Sequence, residues 1–519
     1  MSTPDFPPPE LPQAPASAKE THLADGEWHR LHPATPLLRG GIAFVAILGV
    51  IIVNLRDVVI EIVFGGSEFD DDYNPVTYIF EHDYLGLIVL AIIGGLVLTI
   101  AGFWLSWRMH TFRITDELVE VRSGILFRTH RRGRLDRIQG INIMRPFLAR
   151  LVGAAKLEVN VAGQDANVSL AYLGSAAADE LRREILLLAS GSRPDAATST
   201  PGQASGSLVS DRVNELLAPE LDPSLAAPES VVKMHPGRLV GSHLLSMGTI
   251  IAIAAVVVVC VFAINLSTGF IVFAIIPGAI GIGSYFVSRI TRSLRYSIAS
   301  TPDGVRVGFG LLSTSNDTLP PGRIHAVQVS QPLLWRLTGW WEIKINRAST
   351  SSTQGAAGQA NTTILPVGTL SDVRKVLELV LPHMTDEVEM LSRGLVSRGG
   401  DDGFVNSPRR AAGVRWFSWR RNGFAQTSTS VLLRKGAIWR ELIVVPKARI
   451  QSVALTRGPL GRRMRLAKVQ IHTVAGPVSA HIGALDQAEA IGFFESVAHE
   501  AVAASQSDRS HRWRGEAPE

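Results

Sequence analysis

Apolar residues in this 519-residue chain are concentrated in four long runs that come in two pairs. The first pair covers roughly residues 37–60 and 84–106, and the second covers roughly residues 239–265 and 268–289. A helix needs ~20 apolar residues to cross the hydrocarbon core of a bilayer, and each run approaches that length. The first run has the shortest uncharged centre, from Gly41 to Leu55. The pattern predicts four transmembrane helices in two pairs.

Outside these runs, apolar residues alternate with polar ones over short stretches. Leu157, Val159 and Val161 alternate with polar residues, and Ile343 and Ile345 repeat this pattern later in the chain. Because successive side chains of a strand point to opposite faces, the period of two indicates half-buried strands. Helical patterns follow these strands at residues 174–189, 370–381 and 484–503. We therefore expect small antiparallel β-units, each closed by a C-terminal helix.

One segment occurs three times without gaps, beginning at Arg137, Arg323 and Arg449. A glycine lies thirteen residues before each of these arginines, and a second arginine lies thirteen residues after it. Such fixed spacing indicates three copies of one folded unit. The arginines could bind a ligand or bond internally to carbonyl or carboxylate groups, and we expect the structural role. The repeated residues are Gly124, Gly310, Gly436, Arg137, Arg323, Arg449, Arg150, Arg336 and Arg462.

Comparison of the three copies also predicts turns and core positions. Each repeated glycine is expected to end the second strand of its unit in a turn that needs a positive φ or a close backbone approach. Aliphatic residues recur where the first copy has Ile138, Ile141 and Ile143, and we expect them in the core. The recurring leucines, also expected in the core, are Leu148, Leu334 and Leu460.

The third copy resembles a known bacterial domain. Residues 449–467, RIQSVALTRGPLGRRMRLA, resemble the pleckstrin-homology-like (PH-like) domain of YdbS/YdbT-type membrane proteins, and residues 137–154 and 323–339 match more loosely. The order of paired spans and domains is similar to the YdbT type. Two departures are Arg465, which replaces a glycine of the other copies, and the absence of an apolar run before the third copy. The resemblance implies a seven-stranded sheet capped by a helix, and no known reaction or ligand.

The expected architecture is a multi-domain membrane protein with four transmembrane α-helices in two pairs and three α+β units. Each unit is expected to be an antiparallel PH-like β-sandwich or barrel with a C-terminal helix. The expected segments are a disordered tail 1–36, helix pair 37–106, PH-like domain 107–190, linker 191–235, helix pair 236–290, PH-like domain 291–384, linker 385–412, PH-like domain 413–503 and a disordered tail 504–519.

Charge predicts the orientation in the membrane. The loop between the first two runs carries eight acidic residues against one arginine, Arg56. Arginines such as Arg108 and Arg113 follow the second run, and Arg289 and Arg292 follow the fourth. Positively charged residues stay on the cytoplasmic side. We expect a multi-pass protein of the bacterial cell (inner) membrane, with both termini and all three PH-like domains in the cytoplasm.

Residues 408–423, PRRAAGVRWFSWRRNG, combine arginines with aromatic residues. Arginine attracts anionic headgroups, and tryptophan lies well at the membrane interface. One hypothesis is that this stretch holds the third unit against the inner leaflet in place of the missing spans. The alternative is that the tryptophans pack on protein and the arginines are solvated. The residues of the proposed contact are Arg409, Arg410, Arg415, Trp416, Trp419, Arg420 and Arg421.

No catalytic or metal-binding motif is present in the sequence. It contains neither HExxH nor CxxC, and its one cysteine, Cys260, lies in an apolar run. We expect no enzyme, no cofactor and no nucleic-acid partner. The expected function is membrane-anchored binding or scaffolding, with the lipid bilayer and unidentified proteins as partners and a protein, peptide or anionic lipid headgroup as ligand. The alternative is an accessory or regulatory subunit of a membrane transport or envelope-stress system.

Overall fold

The computed structural model describes most of the three repeated units. The described residues are 23–35, 38, 85–124, 128–162, 167–189, 232–263, 276–301, 304–311, 313–320, 322–348 and 362–508. Apart from Leu38, the first predicted transmembrane run lies outside the described residues. The same holds for most of the predicted N-terminal tail and for residues 191–231 of the predicted linker.

All three units contain the same elements in the same order: a short first strand, an insertion, three more strands, three strands of a second sheet and a C-terminal helix. The first unit contains β1 (His29–Arg30), α1 (Leu85–Arg108), β2 (Thr111–Ile114), β3 (Leu118–Ser123), β4 (Thr129–Arg134), β5 (Ile138–Arg145), α2 (Phe147–Leu151), β6 (Ala154–Val161), β7 (Val168–Gly174) and α3 (Ser175–Ala189).

The second unit contains β8 (Val232–Lys233), α4 (Pro236–Leu244), α5 (Met247–Ala263), α6 (Ile276–Ser293), β9 (Ser297–Thr301), β10 (Gly304–Phe309), β11 (Thr314–Leu319), β12 (Ile324–Gln331), β13 (Trp341–Arg347), β14 (Thr363–Gly368) and α7 (Leu370–Val380), and α8 (Val388–Val396) follows it. The third unit contains β15 (Val405–Asn406), α9 (Ala412–Arg415), β16 (Gly423–Gln426), β17 (Ser430–Lys435), β18 (Arg440–Pro446), β19 (Ser452–Thr456), α10 (Pro459–Met464), β20 (Leu466–His472), β21 (His481–Asp486) and α11 (Gln487–Ser507). The predicted antiparallel units with C-terminal helices are thus confirmed.

The alternating pattern forms the cores of the units. Ile141 and Ile143 of β5 and Leu157 of β6 are fully buried on the inner face of the second sheet. The helix α3 covers this face with Leu181 and Ile185, whose spacing of four places them on one side of the helix. Burial of one such side chain contributes ~1.5–3 kcal/mol, so this alternation accounts for much of the stability of a small unit.

The apolar helices α1, α5 and α6 lie between the first and second strands of their units. Across the parts of the chain that the structure describes, no single helix has the length and hydropathy of a membrane span. Helix α4 and the part of α5 up to Val258, bent by 51° at their junction, reach that length and hydropathy as a pair. The four transmembrane helices therefore remain a prediction.

Consecutive units share sheets. Strand β5 of the first unit pairs with β11 of the second, and β12 of the second pairs with β18 of the third, both antiparallel. Two seven-stranded sheets result, with the orders β7-β6-β5-β11-β10-β9-β8 and β14-β13-β12-β18-β17-β16-β15. We call each of these pairings a join. Backbone hydrogen bonding across both joins makes the three units one continuous array.

The second join is also closed by apolar packing. Leu432, Leu442 and Val444, on the outer face of the first sheet of the third unit, belong to the same core cluster as Val327 and Val329 of the second unit. Residues 385–412, predicted to be a linker, contribute helix α8, which adds Leu391 and Leu395 to this cluster. The chain between the second and third units is therefore part of their shared core.

The recurring leucines correct one sequence-based expectation. Leu148 is 53% exposed and Leu460 is 58% exposed, while Leu334 is half-buried. All three lie in the helical turn that follows the fifth strand of their unit, beyond the end of the sheet that would cover them. The prediction that they are core residues was therefore wrong for Leu148 and Leu460.

Candidate membrane-facing surface of the third unit

The third unit carries a short segment where the other units carry apolar helices. In the first unit α1 lies between β1 and β2, and in the second unit α4, α5 and α6 lie between β8 and β9. In the third unit, the same place between β15 and β16 holds only residues 407–422, which we call the insertion segment. It contains the 3-10 turn Arg409–Ala411 and the short helix α9.

The tip of the insertion segment is apolar and exposed. Trp416 is 72% exposed and Phe417 is 59% exposed, and their ring centroids lie 3.7 Å apart. Val414, one turn earlier, is also exposed. Large aromatic side chains are usually covered, and an exposed apolar group rimmed by charge marks an interaction surface. Arg409 and Arg420 of the same segment are also exposed.

The insertion segment is fixed against the turn that follows the fifth strand. Arg410 donates to the carbonyl oxygen of Met464 at 2.9 Å and forms an ion pair with Asp486. A Cβ on Gly413 would lie 3.5 Å from Met464 Cε. Helix α10, which contains Met464, also exposes Leu460. The aromatic tip and the apolar residue of α10 are therefore parts of neighbouring elements.

The corresponding turns of the other two units lie beside the chain that leads into the apolar helices. In the first unit, Leu38 packs against a small cluster that includes Ala149 of α2. In the second unit, the ring of Trp340 approaches Gly241 of α4 so closely that a Cβ there would come within 2.8 Å of it. Both turns also expose large apolar side chains, such as Phe147 and Leu337. Helix α10 thus marks the same end of the third unit.

Arg421, also predicted to contact lipid, is instead buried inside the protein. Its guanidinium donates to five carbonyl oxygens at 2.7–3.1 Å, namely those of Gly394, Leu395, Ser397, Lys435 and Gly436. Burial, followed by the positive charges of Arg434 and Arg440, lowers the pKa of Arg421 to about 9. Arg421 therefore ties the C-terminus of α8 to the glycine turn between β17 and β18.

Two further residues of the predicted lipid contact, Trp419 and Arg415, are only partly exposed. Trp419 is half-buried, and the guanidinium carbon of Arg420 lies 5.4 Å from the centroid of its ring. Arg415 is half-buried as well. The surface formed by the insertion segment therefore consists chiefly of Val414, Trp416 and Phe417, with Arg409 and Arg420 as exposed cations and Arg410 exposed but paired with Asp486.

Comparison with protein families identifies the repeated unit. Residues 46–189, 246–383 and 405–501 each match the family model described as bacterial PH domain. The chain belongs to this family. No curated protein and no solved structure matches the chain. PH-like domains are typically binding modules without catalytic activity, so three bacterial PH domains indicate a binding or scaffold function.

Three of the repeated arginines connect consecutive PH domains. Arg150 Nη1 donates to the carbonyl oxygen of Leu311 at 3.1 Å, and Arg336 donates to the carbonyl oxygen of Ala437. Leu311 and Ala437 each follow a repeated glycine of the next PH domain. Arg323 of the second domain donates in the opposite direction, to the carbonyl oxygen of Asp136 in the first domain at 3.1 Å. Of the other repeated arginines, Arg449 pairs with Asp508 at 2.7 Å, and Arg137 and Arg462 are exposed. Sequence reasoning missed this connection because it treated each copy separately.

The repeated glycines have the backbone conformation that the spacing suggested. Gly124, Gly310 and Gly436 have φ values of 106°, 105° and 80°. A Cβ on Gly436 would lie 1.7 Å from the carbonyl oxygen of Trp439. Side chains are therefore excluded from this turn by geometry as well as by φ.

No group of three or more metal-ligating side chains occurs within the described ranges. The surface formed by the insertion segment is thus a candidate for contacts through apolar and cationic groups.

Proposed function

We propose that this chain is a membrane-anchored scaffold of the YdbS/YdbT type, with its three PH domains on the cytoplasmic face of a bacterial inner membrane. Exposed apolar side chains on the apolar helices α1, α5 and α6 support the anchoring, among them Leu98, Ile251 and Val287. Exposure of such side chains to water is unfavourable in free energy, and a lipid environment removes this unfavourable contribution.

We further propose that the third PH domain docks on anionic lipid through the insertion segment. The observation that carries this proposal is the position of Trp416 and Phe417, which lie where the first two domains carry apolar helices. Aromatic rings lie favourably at the headgroup level, and each nearby arginine contributes ~1 kcal/mol of attraction to an anionic surface. Docking through this segment would hold all three domains at the same membrane surface.

The docking can be tested on the full chain in lipid nanodiscs. A nitroxide is attached at Val414→Cys in a Cys260→Ser background, with Ala503→Cys on the exposed side of α11 as the matched control position. In anionic nanodiscs, the label at position 414 should become accessible to oxygen and protected from a water-soluble relaxation agent. The label at position 503 should stay in water, and Trp416→Ala with Phe417→Ala should return position 414 to water.

Two results would contradict the proposal. Equal water accessibility at positions 414 and 503 in anionic nanodiscs would exclude docking of the insertion segment. Release of the wild-type chain from cell membranes by alkaline carbonate would exclude the integral anchoring, because carbonate strips peripheral proteins and leaves transmembrane helices in the bilayer.

A further inference from the structure

The array of three PH domains has one free strand at each end. The fourth strand of the second and third domains, β11 and β18, pairs with the fifth strand of the preceding domain. Within the described part of the chain, the fourth strand of the first domain, β4, pairs only with β3. The fifth strand of the third domain, β19, pairs only with β20 in the same residues. Each end of the array therefore has a strand, β4 or β19, of the kind that forms a join elsewhere in the chain.

Both joins follow the same rule. The residue four positions after the repeated arginine pairs with the residue five positions before the next one, as Ile141 does with Thr318 and Val327 with Val444. In the second join, Leu442 and Val444 complete the core of the preceding domain, and their partners Val329 and Val327 are fully buried. In this join the incoming strand therefore supplies side chains that finish the core of its neighbour, whereas β11 brings buried polar residues to the first join.

In the third domain, the fifth strand β19 is equivalent to β12, but within the described residues no strand pairs with it as β18 pairs with β12. Val453 and Leu455 of β19 occupy the positions of Val327 and Val329, yet both are only partly buried. Arg462 corresponds to Arg336, which bonds to the next domain. Arg462 is exposed, and its side chain has no hydrogen bond within the described residues. The apolar side chains of β19 are thus only partly covered at this edge.

A second copy of the chain does not fit this edge. Under the pairing rule, its strand β4 would place His130 and Arg132 opposite Leu455 and Val453. In the first domain these two side chains lie with Glu120, which Arg132 contacts at 2.7 Å. Burying such cations against an apolar core is costly, and charged edge strands are a common protection against pairing. Strand β4 therefore caps the array, as polar terminal repeats do.

We propose that β19 is the docking edge for a strand from another protein, namely the fourth strand of a PH-like domain with apolar or small side chains at the two core-facing positions. The incoming strand would pair antiparallel with β19, cover Val453 and Leu455, and accept a hydrogen bond from Arg462 through its glycine turn. Addition of a strand to an exposed sheet edge is a general mode of protein recognition. The array is therefore closed at its first domain and open at its third.

The test uses the full chain in detergent and a labelled peptide with the sequence of residues 435–447, KGAIWRELIVVPK, which contains both the glycine turn and β18. Binding is titrated to ~1 mM peptide, the weak end of specific affinities. The wild-type chain should bind. Arg462→Ala should weaken binding by about 10-fold or more, since a charged hydrogen bond is lost. Arg463→Ala, at the neighbouring exposed arginine, should leave binding unchanged.

A second peptide checks the character of the strand. It carries arginine in place of Leu442 and Val444, and it should bind at least ~10-fold more weakly because two cations would face the core. Equal binding of both peptides would overturn the proposal. So would absence of binding to the wild-type chain, equal effects of the two arginine variants, or concentration-dependent oligomers of the chain that disappear with Arg462→Ala. The last result would make a second copy the occupant.

Discussion

The sharpest test of the structure is the substitution Arg421→Ala. Arg421 is buried, and its five hydrogen bonds run to carbonyl oxygens on both sides of the junction between the second and third domains. Three of these carbonyls, those of Gly394, Leu395 and Ser397, lie at the C-terminal end of α8. Helix C-termini carry partial negative charge and bind cations favourably. The substitution therefore leaves α8 without the group that caps it.

The loss of stability expected for Arg421→Ala can be estimated from the same hydrogen bonds. A hydrogen bond to a charged group contributes ~1.5–3 kcal/mol, but five bonds from one guanidinium do not add. The substitution also removes a buried charge that is repelled by Arg434 and Arg440. Loss of a buried charged network typically costs ~3–5 kcal/mol, and we expect a value in that range.

Native-state hydrogen exchange on the full chain measures this loss where it occurs. Peptides covering α8 and β18 should exchange about 10²- to 10⁴-fold faster in Arg421→Ala, because local opening becomes easier by the expected free energy. Arg420→Ala is the matched control, since Arg420 is the adjacent residue and its side chain is exposed. Unchanged exchange at α8 in Arg421→Ala, or an equal acceleration in Arg420→Ala, would refute the reasoning.

Three further outcomes follow from the structure. Gly436→Ala should lower the free energy of unfolding, measured by thermal denaturation, by at least ~2 kcal/mol because the new Cβ would collide with the carbonyl oxygen of Trp439. Gly492→Ala, on α11 with open space around it, should instead raise the free energy of unfolding by up to ~1 kcal/mol. Burial and neighbouring arginines lower the pKa of His325 to about 4, so the unfolded chain binds more protons than the folded chain between about pH 6.5 and 4. The denaturant concentration at the unfolding midpoint should therefore fall as the pH falls through that window, and His325→Gln should remove up to ~3 kcal/mol of this pH dependence. Arg336→Ala should accelerate hydrogen exchange in β18 by about 10-fold or more, with the carboxyl-terminal strands β20 and β21 unaffected.

The units were predictable from the sequence because their signals are local. The period of two in β6 and β13 and the helical pattern in α3 each describe residues that contact one another within a unit. The repeated spacing then identified equivalent positions without any knowledge of the fold. These signals were sufficient for the number of units and for the strand-then-helix order.

The joins were not predictable because their signals lie in two units at once. Strand β11, with the sequence TSNDTL, is buried along its whole length although it has no apolar alternation. Its burial comes from pairing with β5 of the preceding unit, which a pattern within the second unit does not report. The prediction that Leu148 is a core residue was wrong for a related reason. The leucine recurs in the helical turn after the fifth strand, and this turn leaves it exposed in two of the three units.

The insertion segment shows a different limit. Arg420 and Arg421 are adjacent and chemically identical, yet one is exposed and the other is buried. A run of arginines and aromatic residues predicts an interface by composition, but composition does not report which side chains the backbone turns inward. The turn before β16 makes that selection by aiming Arg421 at the carbonyls of α8. The exposed part of the predicted surface is therefore narrower and more apolar than the sequence suggested.

The chemistry of the fourth strand explains why the array has a direction. Its two outward positions carry His130 and Arg132 in the first domain, Asn316 and Thr318 in the second, and Leu442 and Val444 in the third, so the strands become less polar along the chain. Burial of two aliphatic side chains contributes ~3–6 kcal/mol, whereas burial of a hydroxyl such as Thr318 Oγ1, which has no hydrogen-bond partner within the described residues, is unfavourable. These two positions therefore stabilise the second join more than the first, and the charged side chains of β4 disfavour a join before the first domain. An array built this way grows at its third domain, where β19 already has the apolar residues that a further strand would cover.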